Sequence, residues 1–326
     1  MLYLFYQQQI KQPQPMLADK ITEIFVKADD FCNVFKNEFS DKQLLISSDK
    51  EKRNRKAGLC DSETITLLIA FHSGQFRNFK HFYIYYVSVH LQEDFPGLVS
   101  YNRFIELSHR NAIVFMLFIK YCCMGKCTGI SFIDSTILRA CHNKRIKRNK
   151  VFKGIGEVGK STMGWFFGFK LHLIINDKGE MLSFYLTKGN VDDRNTKAIT
   201  EMTKELFGKL FGDKGYISKV LSDLLWGNGI QLITAVRKNM KSKALSNEEK
   251  LLLRKRSVIE TVNDELKNIC QLEHTRHRSI SGFLLNIMGA IAAYSFFPKK
   301  PSIKKDIEET NPKFLKGHLQ QLQLAA

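Results

Sequence analysis

Two aspartates each follow a short apolar run that is typical of a buried β-strand. Asp134 comes directly after residues 129–133, and Asp213 comes after residues 210–212. A carboxylate at the end of a core strand is costly to bury unless a cation holds it. Two such acids can meet at one edge of a sheet, where their oxygens suit a hard divalent ion such as Mg²⁺. Taken singly, each could equally be a turn or cap aspartate, so the pair carries the prediction.

A third acid, Glu260, lies on a predicted helix. At about 100° per residue, one stripe of residues 253–267 carries an acid, an amide and two bases, namely Arg256, Glu260, Asn263 and Lys267. The apolar Ile259 and Val262 fall on a different side, which we expect to pack against the sheet. An ordinary surface ion pair between Arg256 and Glu260 is the alternative interpretation.

Further polar residues could support the acids. Asp192 and Asp193 follow the third predicted strand and could reach the same edge, or one of them could cap the next helix. Lys170 and His172 share one face of the second strand. We rank Asp193, His172 and Asn263 as supporting candidates, and for His172 simple packing is the alternative.

The elements that must position these residues follow residue 129. Five β-type runs cover residues 130–134, 166–176, 181–187, 209–213 and 231–236. The turn Asp177-Lys178-Gly179 joins the second and third runs into a hairpin. Helical patterns cover residues 196–207, residues 246–269 and the segment from Ile280. The order β-β-β-α-β-α-β-α predicts an α/β fold with a mixed five-stranded sheet flanked by helices, preceded by an all-α region.

We predict four parts from these patterns. Residues 1–15 are a disordered tail, 16–127 a helical domain, 128–298 an α/β domain that carries the three acids and 299–326 a polar C-terminal tail. Residues 62–71 and 101–110 are candidates for a helix-turn-helix pair.

Composition favours a polyanionic partner. The 326 residues include 50 lysines and arginines against 32 acids, which gives a formal charge of +18. Nucleic acid is therefore the first partner to consider. Basic runs lie at residues 139–160 and 237–256, and a solvated surface is their alternative interpretation. The basic residues that we predict to contact DNA are Arg256, Lys267, Lys144, Arg145, Lys147, Arg148 and Lys214.

Other classes of protein are disfavoured. The uncharged segment 280–297 reaches only the lower length limit for a membrane span and is interrupted by polar residues. We expect no membrane partner, no secretory signal and a cytoplasmic location. Seven scattered cysteines predict free thiols rather than disulfides or a zinc site.

Several motifs together resemble a known family. They are residues 132–136 (FIDST), 141–145 (CHNKR), 164–173 (GWFFGFKLHL), 189–194 (GNVDDR), 212–216 (GDKGY) and 259–261 (IET). In this order they resemble bacterial insertion-sequence transposases of the DDE type, and they are most similar to family 982 of that series. The resemblance covers residues 130–295. Arg256, Glu260 and Lys267 match the Tyr-x2-Arg-x3-Glu-x6-Lys signature of related transposases, but Leu253 stands at its tyrosine position.

The resemblance implies both a fold and a reaction. The fold is a ribonuclease H-like core in which Asp134, Asp213 and Glu260 form the catalytic, metal-binding triad. Two Mg²⁺ ions, for which Mn²⁺ would substitute, activate a water or a 3′-hydroxyl for attack on a phosphodiester. The expected partners are the terminal inverted repeats of the element and target double-stranded DNA, bound by a homodimer in a synaptic complex within the bacterial nucleoid. A related nuclease without strand transfer and a silent DNA-binding relic are the alternatives.

Overall fold

The structure is a computed structural model that describes residues 15–39, 58–74, 76–162, 164–235, 245–273 and 277–303. In the first of these segments, side chains are described for residues 19–38 only. Most of the predicted tails at residues 1–15 and 299–326 lie outside the described residues, as does much of the basic run at 237–256.

Every regular element described before residue 130 is helical. These elements are α1 (Pro15–Phe39), α2 (Asp61–Ser73), α3 (the contiguous turns Phe79–His81, Phe82–Val87 and Ser88–His90), α4 (Tyr101–Arg110) and α5 (Ala112–Phe118), which continues as a π-helical turn (Ile119–Cys123). In α2, nearly every side chain from Ser62 to His72 is buried. This helix therefore has no face that could enter a DNA groove, and α3 separates it from α4. The predicted helix-turn-helix pair of residues 62–71 and 101–110 is wrong for that reason.

A mixed sheet follows, with six strands in the described part of the chain. The strands are β1 (Ile130–Cys141), β2 (Glu157–Ser161), β3 (Gly164–Asn176), β4 (Met181–Lys188), β5 (Gly208–Gly212) and β6 (Ile230–Thr234). Both β2 and β4 pair with the same side of β3, so the order across the sheet is β2 or β4, then β3, β1, β5 and β6. The pairs β1–β3, β2–β3 and β3–β4 are antiparallel, whereas β1–β5 and β5–β6 are parallel. The predicted mixed sheet is confirmed, but its predicted five strands are one too few because β2 was missed.

Helices flank the sheet. They are α6 (Thr196–Thr203), α7 (Lys219–Gly227), α8 (Asn247–Lys255), α9 (Ser257–Asn268) and α10 (Ile280–Ser295). The single helix predicted at residues 246–269 is instead two, α8 and α9. None of the described helices is long and apolar enough to cross a membrane.

The hydrophobic core lies on both faces of the sheet. The larger cluster joins α1–α5, one sheet face, α9 and α10, with Ile24, Phe71, Phe132 and Ala290 all fully or almost fully buried. A smaller cluster around Ile133 and Leu221 fills the other face. Because α10 packs against α2, the predicted helical and catalytic domains share one core, and the boundary at residue 127 stays a prediction.

Candidate active site

Asp134 lies in β1, and Asp213 directly follows the adjacent strand β5 at the same level of the sheet. The parallel ladder of β1 and β5 ends with Phe132 opposite Phe211, and each aspartate follows its phenylalanine by two residues. Residues two apart on a strand point to the same face. Since β5 ends at Gly212 while β1 continues to Cys141, Asp134 lies inside a strand whose parallel neighbour has stopped. The prediction that Asp134 ends its strand is wrong, but the prediction that the two strands would bring these acids together agrees with this register.

Helix α9 carries the third acid beside this edge. Ile259, Val262 and Leu266 are fully buried and dock the helix on the sheet. That docking lets Asn263 Nδ2 donate a hydrogen bond of 3.0 Å to Asp134 Oδ2. One helical turn earlier, Glu260 is 56% exposed and pairs with Arg256 at 2.7 Å. The surface ion pair considered from the sequence is therefore present, although its arginine is only 19% exposed.

The electrostatic environment of Asp134 is unfavourable to its charge. The pKa of this carboxyl is raised to about 6, chiefly by burial and to a smaller extent by the nearby charges of Asp213 and Glu260, while Arg256 and the backbone of Ser135 oppose the shift. Asp213 instead accepts a hydrogen bond of 2.8 Å from the amide of Gly215. It thus also fills the turn-capping role considered from the sequence.

The donor atoms at this edge suit a hard cation, although the described geometry does not assemble a closed site. Carboxylates and a side-chain amide are the ligands such ions prefer, and the Asn263 Oδ1 oxygen is buried without a hydrogen-bond partner. Among the described residues, no three His, Cys, Asp or Glu side chains are close enough to share one ion. By pairing with Glu260, Arg256 places positive charge beside these acids.

The other face of β1 carries a second polar cluster. Lys170 Nζ donates to Asp193 Oδ1 at 3.0 Å and to the carbonyl of Val191 at 2.9 Å. Ser135, which directly follows Asp134, donates to the same Asp193 oxygen at 2.9 Å. Asp193 therefore ties the chain after β4 to β1 and β3, and the side chain that caps α6 is that of Asn195 rather than Asp192 or Asp193.

His172 belongs to this opposite face. It pairs across the ladder with Ser135, is 1% exposed, and shares a hydrogen bond of 2.9 Å with Thr187. Burial lowers its pKa. The alternative interpretation of His172 as a packed residue agrees with this position. Tyr216, which sequence reasoning missed, is buried, and burial together with the nearby charges of Asp134, Asp193 and Asp213 raises the pKa of its hydroxyl.

The basic residues predicted to contact DNA fall into two groups. Lys144, Arg145, Lys147, Arg148 and Lys214 are exposed. The first four occupy a 3₁₀ turn (Asn143–Arg148) that follows β1. In contrast, Arg256 forms an ion pair with Glu260, and Lys267 forms one with Glu273, in which Nζ lies 3.4 Å from Oε2.

Two further observations concern the cysteines and the aromatic run at residues 76–86. All seven cysteines are free. The aromatic run at residues 76–86 mainly forms core, since Phe82 and Tyr83 are buried, although Tyr85 is exposed.

Comparison with known proteins finds similarity to transposases. No curated protein matches the chain significantly. A cryo-EM structure of a piggyBac transposase synaptic complex with hairpin DNA is similar at a TM-score of 0.45 and 10% identity, over 91% of this chain and 82% of that chain. Residues 124–280 match the family model of the transposase DDE domain. This segment contains Asp134, Asp213 and Glu260, and its match supports a DDE transposase.

Proposed function

We propose that the chain is a DNA transposase that cuts DNA at the ends of its own element and joins the 3′-hydroxyls to target DNA. The observation that carries the proposal is the placement of Asp134 in β1 and of Asp213 directly after the neighbouring parallel strand β5, with the Glu260 helix docked beside them. The order β4-β3-β1-β5-β6 supports a ribonuclease H-like core. The domain match over residues 124–280 favours transposition over an unrelated nuclease.

The three acids act as oxygen ligands in this proposal. Transposase DDE domains generally use divalent metal ions, and we assign two Mg²⁺ ions, for which Mn²⁺ substitutes. When bound, such ions would supply activation of the attacking hydroxyl and stabilisation of the leaving oxygen. Asp134, Asp213 and Glu260 would hold them, while Asn263 orients Asp134 through its hydrogen bond. Arg256 holds Glu260 and places positive charge beside the reacting phosphate.

The wider assignment follows from the same interpretation. We assign the chain to bacterial insertion-sequence family 982, acting on its terminal inverted repeats as a homodimer in a synaptic complex, in the cytoplasm at the nucleoid. Residues 16–127 form the helical DNA-binding part. The exposed basic turn and Lys214 contact DNA phosphates.

A joining assay tests the proposal. Purified protein is incubated with labelled DNA that carries the flanking ends of its gene, together with a supercoiled target, in Mg²⁺ or in EDTA. We expect ends joined to the target only with metal, and only when Asp213 is not replaced by Asn. Cleavage without joining would instead identify a nuclease, and metal-independent binding alone would identify a DNA-binding relic.

A further inference from the structure

The chain has two tryptophans, and one of them lies beside the basic turn. Trp165 is the second residue of β3 and is 60% exposed. Covering a large, solvent-exposed aromatic ring with a flat, apolar ligand is favourable, because it removes the ring from water. The proposed chemistry at the acids makes no use of this ring.

The exposed ring is surrounded by positive charge. Lys160, its partner across the β2–β3 ladder, places Nζ 5.6 Å from the ring centroid. Asn143 Nδ2 donates to the Trp165 carbonyl at 2.8 Å and thereby fixes the 3₁₀ turn beside it. The turn presents four exposed basic side chains, and none of them has an acidic partner within the described residues; they are Lys144, Arg145, Lys147 and Arg148.

An exposed aromatic ring beside basic side chains that have no acidic partner suits one class of ligand. Proteins bind unpaired nucleic acid by stacking bases on aromatic rings while cations follow the phosphates. A duplex would offer the cations its phosphates but would keep its bases stacked inside. The ring is therefore the part of this surface that discriminates in favour of an unpaired base.

The surface is separate from the acids. Asp134 pairs with Leu173 of β3, eight residues further along the strand than Trp165, which corresponds to roughly 26 Å. A base on Trp165 thus lies far from the phosphate being cut. This location points to a DNA contact distinct from the acidic edge.

We propose that Trp165, with the basic turn Asn143–Arg148, is a stacking site for an unpaired DNA base. The inference rests on the proposed function only in that its ligand is DNA. Binding needs neither metal nor cleavage, so the two proposals can fail independently.

Because the chain has only Trp165 and Trp226, fluorescence can report on each ring alone. Trp226 is 70% exposed on α7 and serves as the matched control. The full chain carrying Trp226→Phe reports on Trp165, and Trp165→Phe reports on Trp226. Each is titrated in EDTA with a short oligothymidylate and with an abasic oligomer of the same length and charge.

We expect oligothymidylate to quench Trp165, the abasic oligomer to leave it unchanged, and neither to affect Trp226. In addition, Trp165→Ala should weaken oligothymidylate binding by roughly 5- to 100-fold without altering abasic binding, whereas Trp226→Ala should change neither. Equal quenching by both oligomers, no quenching of Trp165, or equal weakening of both ligands by Trp165→Ala would overturn the proposal. The Trp226→Phe titration keeps the test decisive if Trp165→Ala does not fold.

Discussion

At the scale of single residues, Asp134 is the group whose protonation couples the site to stability. Its pKa of about 6 lies above the ordinary value of 3.8 because the carboxyl is buried. The folded state therefore binds this proton more tightly than the unfolded chain does. The resulting stabilisation is complete below about pH 4 and is lost as the pH rises through about 6.

Replacement of this carboxyl should accordingly be stabilising at high pH. In EDTA, Asp134→Asn is expected to raise the free energy of unfolding at pH 8 by about 1–3 kcal/mol and to change it little at pH 4. Urea denaturation at both pH values measures this. Asp223→Asn, an exposed change on α7, should have little effect at either pH. An equal effect of Asp134→Asn at both pH values would contradict the assigned cause.

The half-buried ion pair of Lys170 and Asp193 should contribute more to the free energy of unfolding than the exposed pair of Arg194 and Asp192. Lys170 and Asp193 are 13% and 32% exposed, whereas Arg194 and Asp192 are 43% and 57% exposed. A double-mutant cycle with Lys170→Met and Asp193→Asn should give a coupling of about 1–2 kcal/mol. The matched cycle with Arg194→Gln and Asp192→Asn should give about 0.5 kcal/mol or less, because solvent screens that pair. A larger coupling in the exposed pair would refute this ranking.

At the scale of elements, β2 depends on a close approach that only glycine permits. A Cβ on Gly159 would collide with the carbonyl of Gly189 and the ring of Phe166. Gly159→Ala should therefore destabilise the protein by about 1–3 kcal/mol in chemical denaturation. Gly227→Ala on α7 is the control, since nothing lies within 4 Å of its added Cβ, and it should be neutral or stabilising by up to ~1 kcal/mol. Equal costs at the two positions would argue against the packing of β2.

The elements that the sequence predicts have a local sequence pattern, whereas those it misses depend on tertiary packing. The β3–β4 hairpin is predicted because a turn sequence separates two apolar runs. In contrast, β2 (EVGKS) has no apolar run and forms only because β3 offers it an edge. The helical pattern of residues 246–269 is continuous in sequence, but the helix is interrupted between Lys255 and Ser257. Such interruptions arise from tertiary packing, which periodicity does not report.

At the scale of the whole molecule, the net charge of +18 should appear in the salt dependence of DNA binding. Replacing Lys144, Arg145, Lys147 and Arg148 by Ala should lower the slope of log K against log salt by roughly 0.9 for each duplex phosphate that these bases neutralise. The matched control replaces four basic residues that already pair with glutamates, namely Arg103, Lys120, Lys188 and Lys204. Fluorescence anisotropy on random-sequence duplex measures both. Equal changes in slope would show that the basic turn has no special role.

The candidate site is predictable in its acids but not in its supports. Asp134 and Asp213 follow apolar runs, and Glu260 shares a helical stripe with Asn263. The sequence alone therefore indicates that these acids could form one site. The hydrogen bond from Ser135 to Asp193 joins residues 58 positions apart, and Tyr216 is buried near Asp134, a residue from an earlier strand. Sequence spacing indicates the pair of Arg256 with Glu260, but it does not show that Arg256 would be largely shielded from solvent.

The joined-product assay on single acid variants is the decisive measurement of whether Asp134, Asp213 and Glu260 serve one reaction. In Mg²⁺, Asp134→Asn, Asp213→Asn and Glu260→Gln should each reduce joining by more than the roughly 10- to 100-fold that removal of an outer-shell partner costs. Asp192→Asn, at an exposed aspartate outside the triad, should retain wild-type joining. Wild-type joining by the Glu260→Gln protein, folded and at equal concentration, would contradict the assignment of these three acids to one site.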